Sequence, residues 1–62
     1  MSPCLECVME NVKNLTPGKK YWVIVFRPIT KTDMAFEGET HIVTVKNDKG
    51  REEEFFYPSQ LG

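Results

Sequence analysis

YWVIVF, residues 21 to 26, decides how this chain folds, because all six side chains are β-branched or aromatic. Such side chains fit a pleated, half-buried surface, and the run stops at Arg27-Pro28, so a strand near 20–27 is predicted. Alternation along that strand puts Tyr21, Val23 and Val25 on one face and Trp22, Ile24 and Phe26 on the other. The first set can fill a core. The second needs a cover, since the outer face of a strand in a small isolated domain is ordinarily polar. Either the 28–40 loop lays Ile29, Met34, Ala35 and Phe36 over it, or another chain does.

Working outward, Leu15-Thr16-Pro17-Gly18 is a turn, with proline presetting φ and glycine free to take positive φ. On the other side, Thr40 to Lys46 is a second strand. Asn47-Asp48-Lys49-Gly50 is a hairpin turn with Gly50 in the left-handed position, and residues 52–57 return as the partner strand before Pro58. Residues 28–40 are mixed, with Pro28, Asp33 and Gly38, and read as a long loop. The start is ambiguous. Leu5, Val8, Met9 and Val12 make a helical stripe, while Leu5, Cys7 and Met9 alternate as a strand would. A strand near 4–9 is preferred for a reason given below. Short strands separated by turn chemistry predict an all-β fold, a small mostly antiparallel barrel or sandwich.

At 62 residues the chain has room for one domain and one core, residues 1–62. Eight basic against nine acidic residues leave a net charge of −1, without the basic excess that phosphate contacts usually require. The longest apolar run is far short of the roughly 20 residues that cross a bilayer, and the first residues do not resemble a signal peptide. A cytoplasmic protein that does not engage a membrane, its thiols reduced, is the expectation.

Cys4 and Cys7 stand at the C-x-x-C spacing. A structural zinc site needs four ligands, and these two with the single His41 make three. A thioredoxin-type pair needs a preceding βα unit, which is missing. The reading is therefore no metal and no cofactor, with Cys7 packed inside beside Leu5 and Met9 and Cys4 at the surface. His41 is read as a hydrogen-bonded or solvated strand residue. No serine or cysteine nucleophile has a base partner, and no glycine-rich phosphate loop is present, so an enzyme is not expected. Glu52-Glu53-Glu54 is read as an acidic run that keeps an edge strand soluble and blocks pairing between sheets.

Two motifs are familiar. LTPGKKYWVI, residues 15–24, resembles the segment of Src-homology-3-like barrels where a leucine, a glycine and a basic residue lead into an apolar strand. FFYPSQL, residues 55–61, resembles the end of that fold, where a strand finishes in an aromatic-Pro-Ser turn of 3₁₀ type. The chain is similar, over about two-thirds of its length, to short uncharacterised bacterial and phage proteins of this type. The resemblance implies a short first strand ahead of the glycine turn. Of the proline-rich-peptide groove of eukaryotic members, only Pro58 and Tyr57 have counterparts, because residues 4–8 carry no aromatic side chain and Trp22 lies on a different strand.

The functional expectation is a protein-interaction module. Its contact surface is made of Trp22, Ile24, Phe26, Met34 and Phe36, and its partner is another protein or a second copy. The resemblance adds the idea of a small accessory or inhibitor protein of a phage or mobile element. The alternative is a nucleic-acid-binding barrel, suggested by a basic first half (Lys13, Lys19, Lys20, Arg27, Lys31) beside an acidic second half.

Overall fold

The computed structural model describes residues 3–31 and 38–62. Met34 and Phe36 of the expected contact surface, and Ala35 with them, lie outside the described residues. The chain is all-β. Four strands, β1 (Cys4–Glu6), β2 (Lys20–Pro28), β3 (His41–Lys46) and β4 (Glu52–Tyr57), form one antiparallel sheet in the order β1-β2-β3-β4. Among the described residues there is no helix.

The core follows from alternation on the central strand. Val43 and Val45 of β3 are completely buried, and directly across from them stand Phe55 of β4 and Val23 of β2. Cys7, Leu15, Tyr21 and Leu61 close the same cluster, with Leu5, Val12, Val23 and Tyr57 packed at its margin. Each fully buried aliphatic side chain contributes about 1.5–3 kcal/mol of transfer free energy, a large share of the stability a domain this small can have. Ile42 is also buried but belongs to the opposite face, across from the half-buried Phe56.

Both glycine turns form where their residues require them. Gly18 has φ +83° and Gly50 φ +78°, values that carry a steric cost for any side chain with a Cβ. The hairpin closes through Asn47 N–H to Arg51 O at 2.8 Å and Gly50 N–H to Asn47 O at 2.9 Å.

Two expectations need correction. The first strand stops at Glu6 rather than running to residue 9, because the chain turns at Met9–Asn11 and Asn11 takes φ +63°. Asparagine tolerates that left-handed conformation better than most residues. Met9 is therefore exposed, while Cys7 is buried and its thiol donates to Met9 O at 3.3 Å. Cys4 is exposed.

The second correction concerns the turn after β4. Gln60 N–H and Leu61 N–H both donate to Phe56 O, at 3.1 and 3.2 Å, so the turn spans four and five residues instead of the three of a 3₁₀ segment. The wider loop lets Leu61 reach the core. The Gln60 side chain fills the opening by accepting from Phe56 N–H at 2.9 Å, and the Tyr57–Pro58 peptide is cis.

The sheet itself is not closed. Residues 60–62 nevertheless lie along the free edge of the N-terminal segment. Glu6 and Gly62 exchange two backbone hydrogen bonds of 2.9 Å, Val8 N–H donates to Gln60 O at 3.0 Å, and Cys7 bridges to Leu61.

Candidate functional site

β2 carries one irregularity that reorders its faces. Val23 stands opposite Val45, yet Val25 stands opposite Thr44 and Phe26 opposite Val43. One extra residue, Ile24, has been inserted into β2 relative to β3, which is a β-bulge. A single insertion reverses the in-out parity of everything beyond it. Val25, expected in the core, is 46% exposed and shares the outer face with Thr44. Phe26, expected beside Trp22, turns to the Val43 face, where it is still 46% exposed and shares an apolar recess with Pro3, Leu5, Val23 and Tyr57.

The expected contact surface is thereby divided. Trp22 and Ile24 stay together, 65% and 45% exposed, and Val25 joins them on the outer face. Trp22 and Ile24 border an open groove of about 490 Å³ whose walls also include Lys19, Lys20, Tyr21, Lys46 and Asn47. One ladder step from the Val23–Val45 pair sets Lys46 across from Trp22, while Lys20 is two residues before Trp22 on the same strand face. Trp22 thus has one lysine beside it along its own strand and one on the neighbouring strand.

Beneath the groove lies a polar network that ties the β3–β4 hairpin to the turn before β2. Asp48 accepts from Tyr21 Oη at 2.7 Å, Thr16 Oγ1 at 2.8 Å and Lys19 Nζ at 3.1 Å. The Tyr21 hydroxyl in turn accepts from Thr16 N–H at 2.8 Å, and Asp48 N–H donates to Asn14 O at 2.8 Å. The Tyr21 and Thr16 hydroxyls, aided by Lys19, hold the Asp48 carboxyl below its ordinary value. Asn47 is buried and fully engaged. Its side-chain oxygen accepts from Lys49 and Arg51 N–H, and its amide donates to Glu53 at 2.8 Å.

At the far end of the sheet Phe26 stacks on His41 with ring centroids 4.4 Å apart and meets Tyr57 edge-on at 5.0 Å. His41 Nδ1 lies 2.8 Å from Thr40 Oγ1. The acidic run on β4, the last strand of the sheet, is split by alternation. Glu53 turns inward and accepts from Asn14 and Asn47, while Glu52 and Glu54 are exposed and Glu54 pairs with Arg27 at 3.4 Å. Among the described residues no group of three or more His, Cys, Asp or Glu side chains is placed to hold a metal ion.

Sequence reasoning missed Lys20, Lys46 and Val25 as neighbours of Trp22. Alternation alone places Lys20 on the Trp22 face, but only the register could reveal Lys46 and Val25, and nothing in YWVIVF marks the position of the bulge. Comparison with known proteins adds nothing to this geometry, since no family model, no curated protein and no solved structure matches the chain.

Proposed function

We propose that this protein is a non-enzymatic interaction module that binds a partner protein, or a second copy of itself, through the Trp22 face of its sheet. The observation that carries the reading is the run of apolar side chains on β2 left open to solvent, Trp22, Ile24 and Val25 at 65%, 45% and 46% exposure. A small soluble domain gains nothing in stability from an open tryptophan, whereas aromatic anchors dominate interface cores. The engagement of His41 with Thr40 and the Phe26 ring supports a structural rather than catalytic histidine. We read the architecture as a small Src-homology-3-like barrel, supported by the backbone bonds between residues 60–62 and Glu6 and Val8. An accessory or inhibitor role in a phage or mobile element is what that resemblance suggests.

The test is affinity capture from the source cell or its host, together with light scattering on the pure protein, for wild type beside Trp22→Ala. A variant that stays folded but loses a partner or a dimer supports the reading. A wild type that is monomeric and captures no protein, or a variant that captures the same proteins, overturns it.

A second reading has one observation in its favour, because Lys19, Lys20 and Lys46 line the same groove as the exposed indole. Single-stranded nucleic acid uses that combination of stacking platform and cations. Titrating an oligonucleotide at rising salt decides between them, since phosphate contacts weaken steeply with salt and an apolar protein interface does not.

A further inference from the structure

The groove beside Trp22 has a charge that the molecule as a whole lacks. Three of its seven lining residues are lysines and none is acidic, in a chain of net charge −1. Lys19 is bonded to Asp48, but among the described residues Lys20 and Lys46 have no ion-pair partner. Both are exposed, Lys20 two residues before the indole on β2 and Lys46 across from it on β3. The apolar surface of Trp22 and Ile24 therefore has two exposed cations beside it.

We infer that this groove docks an acidic, extended segment of a partner protein, in which one large apolar side chain sits between carboxylates. This rests on the protein-interaction reading above and names the chemistry of its partner. The apolar side chain packs on Trp22 and Ile24, and the flanking carboxylates meet Lys20 and Lys46. The surroundings favour a short acidic segment over a nucleic-acid strand. Glu6 stands directly across the sheet from Lys20 and Glu52 directly across from Lys46, both exposed. Each lysine thus already has one carboxylate neighbour, so the groove can match about one further charge apiece, fewer than a run of phosphates brings. The chain also has a single tryptophan, hence one indole platform where base-stacking surfaces generally use several aromatics.

Trp22, as the only tryptophan, reports its own occupancy by fluorescence. The probe is a labelled peptide with one phenylalanine flanked on each side by two acidic residues. Its controls are a version with glutamine for each acid, a version with glycine for phenylalanine, and a short oligothymidylate. Anisotropy of the label and Trp22 emission are read together. The acidic peptide is expected to saturate with a shift in Trp22 emission, and both altered peptides to bind about tenfold more weakly or worse. Lys20→Glu combined with Lys46→Glu, checked for folding by circular dichroism, lowers affinity by about tenfold or more, while Lys13→Glu leaves it unchanged. The inference is overturned if the acidic peptide shows no saturable binding, if the glutamine version binds equally, or if only oligothymidylate binds. Failure here is separable from failure of the broader reading. A partner lost with Trp22→Ala but kept with the double lysine variant preserves the interface and removes the acidic-partner chemistry.

Discussion

The two faces of β2 are built from the same kinds of residue and end in opposite environments. On the inner face Tyr21 is 5% exposed and Val23 packs against the fully buried Val45. On the outer face Trp22, the largest side chain of the strand, is 65% exposed. Hydrophobicity therefore does not decide which residue becomes core; what stands opposite does. The inner face meets β4 residues and the returning Leu61, whereas Trp22 lies over a groove edged by lysines.

Mutations on the two faces should have opposite signatures. The largest effect is expected inside. Leu61→Ala removes a completely buried side chain that holds the C-terminal segment to the core, and should cost about 2–5 kcal/mol in urea unfolding, enough to unfold much of the population. If it costs under about 1 kcal/mol, the C-terminal return is not part of the folding unit. Next, Gly50→Val forces a β-branched residue into φ +78° and should lower stability by roughly 1 kcal/mol or more, read in the same assay.

Tyr21→Phe keeps the ring in the core but strips Thr16 N–H and Asp48 of a partner, for a loss of about 1 kcal/mol. The same network predicts a pH dependence. Asp48 has a folded value lowered mainly by the Tyr21 and Thr16 hydrogen bonds, so its contribution is complete above the ordinary carboxylate value of about 3.9. It fades as pH falls through the lower folded value. Asp48→Asn should flatten that acid limb of the stability profile, and an unchanged limb would show that other carboxylates set it.

The smallest effect on stability belongs to the outer face. Trp22→Ala should change the unfolding free energy by no more than about 0.5 kcal/mol, as for other open surface positions. In binding it should cost about 2 kcal/mol or more as a central anchor. A loss of several kcal/mol in folding would instead mean that Trp22 is covered within the monomer.

Strand composition in YWVIVF, the glycines at 18 and 50, and the alternation of Val43 and Val45 all act over a few residues, so an all-β chain with its turns in place was legible from the sequence. The alternation of Leu5 and Cys7 likewise placed Cys7 inside. Asn11 marked the early end of β1 only weakly, because asparagine permits the left-handed conformation without requiring it.

What the sequence by itself determined is thus the secondary structure and the surplus of apolar side chains on β2. The tertiary structure alone decided which of them face solvent. The bulge at Ile24 arises from how nine residues of β2 pair with six of β3, a long-range register that no local pattern encodes. By shifting the ladder one place it turned Phe26 to the Val43 face, though still 46% exposed, and Val25 to the opposite face. It also set Lys46 beside Trp22, residues 24 positions apart in the chain that only strand pairing brings together. The side chains were written in the sequence, but the site they make depends on pairing, because a one-residue change of register moves every later side chain to the other face.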